Sequence, residues 1–489
     1  MSKAEHTVKE NKEMLFIGGQ WSPSSSGGVF DSTDPATGEI LGQAADGTRE
    51  DMVRAIAAAK EAFPAWAAKT AYERAAILMK ANQLMLAKRD ELATLMTKEQ
   101  GKPIRMARTE VTYAADFLSW FAEEAKRVYG QTIPSSRADH RFMVLQQPVG
   151  VAAAITPWNY PISMLTRKIG PALAAGCTIV VKPAEQTPLC AIATIKILEE
   201  AGVPAGVVNL VTTSDPINVG EEILTNPTVR KISFTGSTEV GKLIASKAAS
   251  TMKRVSMELG GHAPFIVFAD ADPVNAAKGA AALKSLNTGQ ACISQNRLFV
   301  HKSIAAKFTE VLTERMAAMP AGHGLDDKVT VGPLIDEQAM NKMERQVADA
   351  VAKGATVATG GKRLTENGLD KGLFWAPTVL TGVTEDMLIY REETFGPMVP
   401  VIEFDDEDDI IAMANDTEYG LAAYVYTPSL SRAFKTAEAL QFGMIGINDI
   451  NPTSAAVPFG GIKESGLGRE GAREGILEYL DSKVLGISL

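Results

Sequence analysis

Apolar positions recur along this chain in two rhythms. In the first part the rhythm is helical. Thr48 followed by Asp51 marks a helix start, and Val53, Ile56, Ala57 and Phe63 then recur at helical spacing. One long helix is predicted next, with Ile77, Leu78, Ala81, Leu84, Met85, Leu92 and Leu95 on a single face. A third carries Phe117, Trp120 and Phe121 and ends near Gly130. These stripes read as core packing. Ahead of them, Phe16 to Trp21 reads as a strand and turn, Asp34 to Gly38 as a second turn, and the residues up to about Met14 as a frayed arm.

From Gly150 to Leu259 the rhythm changes to short, almost continuously apolar runs separated by helical segments. The runs are 151–155, 178–182, 207–211, 231–234 and 255–258, and the helices lie near 160–175, 189–201, 217–225 and 239–250. Strands apolar on both faces, alternating with helices, predict a doubly wound parallel sheet, which binds ligands beyond its strand carboxyl ends. A second alternating region runs from Pro264 to about Ile447. It has strands at 264–268, 298–300 and 422–426 and helices near 303–318 and 337–353. Thr132 to Gln147 fits neither rhythm and is expected to be a projecting hairpin. The apolar end, Val484 to Leu489, reads as a strand that meets such a hairpin on another subunit. The fold expected is therefore α/β: a doubly wound parallel-sheet domain, a second α/β domain and a small β arm.

Composition narrows the partners. The 489 residues are 46% hydrophobic and 22% charged, which is ordinary for a globular protein of two or three domains. The net charge of −9, without a basic stripe, argues against nucleic acid and anionic membrane surfaces. No apolar run is long enough to span a bilayer, and the polar N-terminus does not resemble a signal peptide. Three cysteines make no disulfide framework, so a reducing cytoplasm is expected. The five histidines lack metal-ligand spacing, so no metal is expected.

Candidate chemistry gathers at the predicted strand ends and in one loop. Cys177 and Cys190 lie in apolar surroundings, whereas Cys292 follows the polar turn Asn287-Thr288-Gly289-Gln290. A thiolate is a strong nucleophile near neutral pH, and backbone amides at such a loop are expected to lower the thiol's pKa. After the strand ending at Phe234 comes Thr235-Gly236-Ser237-Thr238-Glu239-Val240-Gly241, a tight turn into a helix whose N-terminus favours a pyrophosphate. Alone it also reads as plain capping. At a neighbouring strand end, Lys182 and Glu185 suit ribose hydroxyls. The carboxylate accepts from a 2′-hydroxyl and repels a 2′-phosphate, which favours NAD over NADP; as a short stretch the two also read as a solvated pair. Asn159, set between Pro157-Trp158 and Pro161, offers a side-chain amide to a developing oxyanion or caps the next helix.

Taken in order, Thr156-Pro157-Trp158-Asn159, Lys182-Pro183-Ala184-Glu185, Phe234-Thr235-Gly236-Ser237, Met257-Glu258-Leu259-Gly260-Gly261, Gly289-Gln290-Ala291-Cys292, Glu392 to Pro397 and Pro458 to Gly461 resemble the motifs of the aldehyde dehydrogenase superfamily, over nearly the whole chain. The resemblance implies an NAD-binding domain at 1–128 and 149–258, a catalytic domain at 259–468, and an oligomerisation arm and C-terminal segment at 129–148 and 469–489. It implies Cys292 as nucleophile, Asn159 and the Cys292 N–H as oxyanion hole, and Glu258 as the base that activates water against a thioester. It places Lys182 and Glu185 on the adenosine ribose, Gly236 and Ser237 at the pyrophosphate, Glu393 on the nicotinamide ribose with Phe395 beside it, and Thr156, Trp158 and Leu259 along the cofactor. A homodimer or homotetramer is expected. A non-catalytic binding protein and a coenzyme A-acylating enzyme are the competing readings. The intact Cys292, Glu258 and Asn159 set argues against the first, and Glu258 against the second.

Within the superfamily the likeness is strongest to succinate-semialdehyde dehydrogenases, through Met164-Leu165-Thr166-Arg167-Lys168-Ile169-Gly170-Pro171. Tyr160, Met164 and Arg167 share one helical face beside Asn159, where Arg167 can hold an acidic tail. Leu286 stands where the likeness calls for a second arginine, and Ser294 where some relatives carry a second cysteine. The expected substrate is a short, anionic aldehyde. Succinate semialdehyde, glutarate semialdehyde, sulfolactaldehyde, lactaldehyde and glycolaldehyde are the candidates, with Thr453, Ser454 and Phe459 also at the tail.

Overall fold

The computed structural model describes residues 12–405 and 409–489. The expected frayed arm therefore lies, up to residue 11, outside the described residues. The first helix starts where the sequence predicts. Thr48 caps Arg49–Ala67, its side chain accepting from Asp51 N while Asp51 accepts from Thr48 N. Thr70 and Glu73 cap Ala71–Ala87 in the same way. The single long helix expected over Ile77 to Leu95 is instead two, Ala71–Ala87 and Arg89–Gln100, which meet at Lys88 with φ −99° and ψ 17°. Leu78, Met85, Leu92 and Met96 stay in one core across the break, so the apolar stripe carries no trace of it.

The first large sheet has the strand order Gly466–Leu467, Arg254–Glu258, Val229–Thr235, Val151–Ile155, Thr178–Lys182, Val208–Leu210, Leu15–Ile17, Gln20–Ser22. The five strands from Arg254–Glu258 to Val208–Leu210 are parallel, and the outer ones are antiparallel. The chain starts the parallel part at Val151–Ile155 and winds outwards in both directions. Its order reverses between Val151–Ile155 and Val229–Thr235, and a crevice is expected beyond their carboxyl ends. The second sheet runs Thr356–Thr359, Thr378–Thr381, Met398–Phe404, Gln295–His301, Ala263–Val267, Ala422–Tyr426, Met444–Ile447, all parallel except the first.

Only Leu259 to His262 separates the carboxyl end of Arg254–Glu258 from the start of Ala263–Val267. The amino edge of the second sheet, which carries the loop before Gln295, therefore faces the carboxyl edge of the first. Helix Ile104–Ala125 packs with Ala71–Ala87 and Ser163–Ala175 in the largest core, through Phe117, Phe121, Leu165 and Ile169.

The hairpin expected at 132–147 is present as Gln131–Ile133 and His140–Pro148. The C-terminal strand Leu480–Ser488 pairs with His140–Pro148 of its own chain, from Leu480 opposite Pro148 to Ser488 opposite His140. That corrects the expectation of a hairpin from another subunit: the same chain brings both strands to one side. Among the described residues no helix is long and apolar enough to cross a membrane, and no group of three or more His, Cys, Asp or Glu is placed to hold a metal ion.

Candidate active site

Two irregular segments build the site. The first follows Val151–Ile155 and runs to helix Ser163–Ala175, with Pro157 and Pro161 fixing its backbone. Asn159 is buried here. Its Nδ2 donates to Gln290 O at 3.0 Å, leaving the second amide hydrogen free, and its Oδ1 accepts from Tyr160 N at 3.1 Å. Asn159 O accepts from Lys102 Nζ at 2.7 Å and from Asn287 Nδ2 at 2.9 Å. Asn159 is thus fixed through both its side chain and its carbonyl.

The second segment is the turn before Cys292. Asn287, Thr288 and Gly289 have φ of 49°, 60° and 73°, three left-handed residues in a row. Asparagine tolerates this and glycine prefers it, but for β-branched Thr288 it is a strained conformation. The strain is held by tertiary bonds. Thr288 Oγ1 accepts from Gly332 N at 2.9 Å, and the Gln290 side chain bonds Pro333 O at 3.2 Å and Ile335 N at 3.0 Å. A Cβ on Gly289 would lie 2.2 Å from Gly396 O, so the turn also needs glycine for close approach.

Cys292 stands where two cavities meet. One, of about 420 Å³, runs along the crevice at the first sheet's carboxyl edge, past Trp158, Gly236, Ser237, Leu259 and Glu393. The other, of about 260 Å³, is lined by Tyr113, Tyr160, Arg167, Leu286, Thr453 and Phe459, with Glu110 and Ser163 among its remaining walls. They share Met164 and Cys292.

A helix N-terminus, a close glycine contact and an aromatic pair shape the first cavity. Ser237 caps helix Thr238–Ala249, whose N-terminus opens onto the crevice. Gly241 lets that helix close on Leu259, since a Cβ there would lie 2.3 Å from Leu259 Cδ2. Trp158 and Phe395 meet edge to face at 5.6 Å across the cleft. Glu393 Oε1 accepts from Gly261 N at 2.9 Å. Thr394 Oγ1, also in the lining, is buried without a partner.

The electrostatics differ from the sequence expectation at one point. The Cys292 thiol is pushed up to about 12, not lowered, because burial of the sulfur outweighs the pull of the Arg167 guanidinium. A backbone N–H acts in the lowering direction but is a small contribution. Glu258 is buried with neither carboxylate oxygen hydrogen-bonded. Burial, then the nearby Glu470 charge, raises it well above the usual carboxylate range, against the opposing pull of Lys168, Arg167 and Arg469. Lys168 Nζ pairs with Glu470 Oε1 and donates to Thr235 Oγ1 at 2.7 Å. Burial likewise raises Glu393.

Arg167 is 2% exposed, far from the solvated position a helix-surface arginine takes. Nη2 donates to Tyr113 OH at 3.0 Å, Nε lies 3.6 Å from Glu470 Oε2, and the guanidinium sits 4.2 Å over the Phe459 ring. Nη1 has no partner. Thr453 lines the second cavity, and its hydroxyl donates to Asn451 Oδ1 at 2.7 Å. Ser454 does not line it. It is exposed, with its Oγ accepting from Ala456 N in a local turn, so its expected place at the substrate tail is corrected. Lys182 and Glu185 pair at 3.1 Å at the end of the adjacent strand, outside the lining of the first cavity; Thr156 N donates to Lys182 O beside them. Lys102, Glu110, Tyr113, Lys168, Gln290 and Glu470 take part in the site without having been given a role in the sequence, although Lys168 and Gln290 stand inside its motifs. Four of them are charged residues, which a sequence reading assigns to the surface.

The aldehyde dehydrogenase family model matches residues 21–485. The succinate-semialdehyde dehydrogenase (NADP+) of Escherichia coli is 51% identical over 478 residues, 98% of each chain. The glutarate-semialdehyde dehydrogenase of Pseudomonas putida is 49% identical over 478 residues, again 98% of each. Among solved structures, betaine aldehyde dehydrogenase of Staphylococcus aureus in complex with NAD+ superposes with a TM-score of 0.95 at 37% identity, covering 97% of this chain and 95% of that one.

Proposed function

The chain belongs to the aldehyde dehydrogenase family, and from that premise we propose that it oxidises a short, anionic semialdehyde to the carboxylate, with NAD as the acceptor. The observation that carries the reading is Cys292 at the junction of the two cavities. A carbonyl held in the Arg167 cavity has the sulfur on its path and the crevice beyond.

In this reading the Cys292 thiol, which burial keeps protonated at rest, loses its proton to Glu258 by way of water and so to solvent, and the resulting thiolate adds to the aldehyde carbon. The new oxyanion is held by the free N–H of the Asn159 side chain and by the Cys292 backbone N–H. A bound nicotinamide would supply the hydride acceptor, and Glu393 and Cys292 would bound the end of the crevice that holds it. Loss of hydride leaves an acyl group on Cys292 as a thioester. Glu258 then takes a proton from water as that water attacks, releasing the acid and restoring the thiolate. A base of raised pKa suits this step, since it takes up the proton readily once ionised. Gly236, Ser237 and the helix N-terminus behind them favour a pyrophosphate, and Glu393 a ribose hydroxyl. Trp158, Leu259 and Phe395 form the walls, and Thr156, beside Lys182 and outside that lining, belongs with the adenosine ribose end. The Glu185 carboxylate, beside Lys182, favours NAD by repelling a 2′-phosphate.

Arg167 is the proposed anchor for the anionic tail. Leu286, in the cavity wall, leaves the tail with this single guanidinium. Succinate semialdehyde and glutarate semialdehyde, the substrates in the relatives' names, both offer one carboxylate. Sulfolactaldehyde, lactaldehyde and glycolaldehyde are the alternatives. Assembly as a homodimer or homotetramer is inferred from the protruding three-stranded sheet.

The test is NADH formation across a panel of these aldehydes, with NAD and NADP compared. Turnover that vanishes in Cys292→Ala is expected, and a burst of NADH followed by a stall in Glu258→Gln. Undiminished steady turnover in Glu258→Gln removes the base assignment, and equal use of NADP removes the Glu185 argument.

A further inference from the structure

Lys102 and Glu110 lie outside every motif that the sequence displays. Both side chains are 1% exposed, and they form an ion pair with one another. Lys102 sits in the turn ahead of helix Ile104–Ala125 and Glu110 on that helix. Two buried charges are tolerated only where their remaining hydrogen-bonding capacity is met. Here it is met by a single segment. Lys102 Nζ donates to Asn159 O at 2.7 Å and stands 4.0 Å from the centre of the Tyr160 ring. Glu110 Oε1 accepts from Ile162 N and Ser163 N, both at 3.1 Å.

The same turn is pinned to the opposite wall. A Cβ on Gly332 would lie 2.1 Å from Gly101 O, and Ile104 N donates to Gly324 O at 2.8 Å. Gly332 to Ile335 is the stretch that holds Thr288 and Gln290. Lys102 therefore stands where the Asn159 segment and the supports of the Cys292 turn converge. Asn159 has one amide hydrogen committed to Gln290 O, so a small rotation of its peptide redirects the hydrogen that remains.

We propose that Lys102 is a positioning residue for the oxyanion donor: its ammonium fixes the Asn159 carbonyl, and with Glu110 it sets the direction of the uncommitted Asn159 N–H. The proposal rests on the reading of Asn159 as the oxyanion donor. A group that stabilises charge only in the transition state must be held to fractions of an ångström, because misplacement costs rate before it costs binding.

The experiment uses the full-length enzyme with NAD and the aldehyde of highest turnover. It compares Lys102→Met, Lys102→Arg, Glu110→Gln and the double variant Lys102→Met/Glu110→Gln, which removes both buried charges together. Lys102→Met is expected to slow the NADH burst by about tenfold or more. The NAD dissociation constant and the rate of Cys292 alkylation stay within about twofold, since neither uses the Asn159 N–H. Lys102→Arg, which keeps a cationic donor, recovers most of the burst rate. Glu110→Gln, which keeps Lys102, loses far less than Lys102→Met. If Lys102→Met is not obtained folded, the double variant takes its place with the same expectation. A parental burst rate in Lys102→Met or the double variant overturns the proposal. So does a proportionate loss of burst, NAD affinity and thiol reactivity, which marks a purely structural role. Asn159→Ala with an undiminished burst instead overturns the reading of Asn159 beneath it.

Discussion

Glu258 has two carboxylate oxygens without hydrogen bonds, and three cations, Lys168, Arg167 and Arg469, compete with one anion, Glu470, over its charge. Glu470 disfavours the ionised form, whereas Lys168 and Arg167 favour it. Removing the Glu470 charge therefore lets Glu258 ionise at lower pH, the more so because Lys168 and Arg167 lose a counter-ion. In Glu470→Gln the rise of steady turnover with pH is expected to shift to lower pH, with the burst amplitude retained. Steady-state rates over a pH series check this, and a limb that stays or moves upward refutes it. Arg167 gives a second prediction. Its buried guanidinium lines the substrate cavity with Nη1 unpartnered. A charge-assisted bond to a tail contributes about 1.5–3 kcal/mol, so Arg167→Leu is expected to lower kcat/KM for acidic aldehydes by roughly ten- to a hundredfold more than for neutral ones. Because Arg167 also favours ionised Glu258, the ratio of acidic to neutral substrates is the quantity to compare. At this scale the sequence singled out Cys292, Glu258 and Asn159 as candidates, but not their electrostatics. The raised thiol follows from how much protein surrounds the sulfur, which no local turn reveals.

The elements were legible wherever burial is uniform. The five parallel strands announce themselves because both faces are largely covered and apolar residues make up most of their length. Lys88 was not legible, because two helices joined by one non-helical residue keep their apolar residues in one core. Lys102 and Glu110 were missed for a related reason: each is polar on an otherwise amphipathic stretch, and only the partner in space makes its burial tolerable. The turn Asn287–Gly289 is the element on which the site depends most, and its geometry predicts the cost of changing it. Gly289→Ala puts a Cβ 2.2 Å from Gly396 O at a φ of 73°. The left-handed conformation alone costs about 1–2 kcal/mol for alanine, and the backbone clash adds to it. Either the turn or the Glu393–Pro397 segment opposite must shift, so Cys292 and Glu393 separate. The expected outcome is a lower unfolding temperature together with at least about a tenfold loss of burst rate, measured by calorimetry and rapid mixing. A variant that retains both would show that the turn adapts freely.

At the scale of the molecule, the three-stranded sheet has no core of its own. The pairing of Leu485 with Met143, Lys483 with Leu145 and Ile487 with Arg141 puts Leu145, Met143, Leu485 and Ile487 on one face, and Leu489 follows in the same alternation. Met143, Leu485, Ile487 and Leu489 are all exposed in the single chain. The outer edge, Leu480–Ser488, is nine residues long and has no strand paired on that side among the described residues. A long edge and an apolar face together are a surface that a monomer does not keep. Another copy of the chain is the expected cover, although the C-terminal strand itself pairs within its own chain. Charges placed on that face meet the partner directly while leaving both cavities untouched, since neither is lined by residues beyond Phe459. Leu485→Glu/Ile487→Glu is therefore expected to lower the mass measured by light scattering to that of a smaller assembly, or of the single 52.1 kDa chain, while NAD binding persists. An unchanged mass would place the interface elsewhere. Loss of NAD binding together with the mass would mean that the crevice depends on assembly after all.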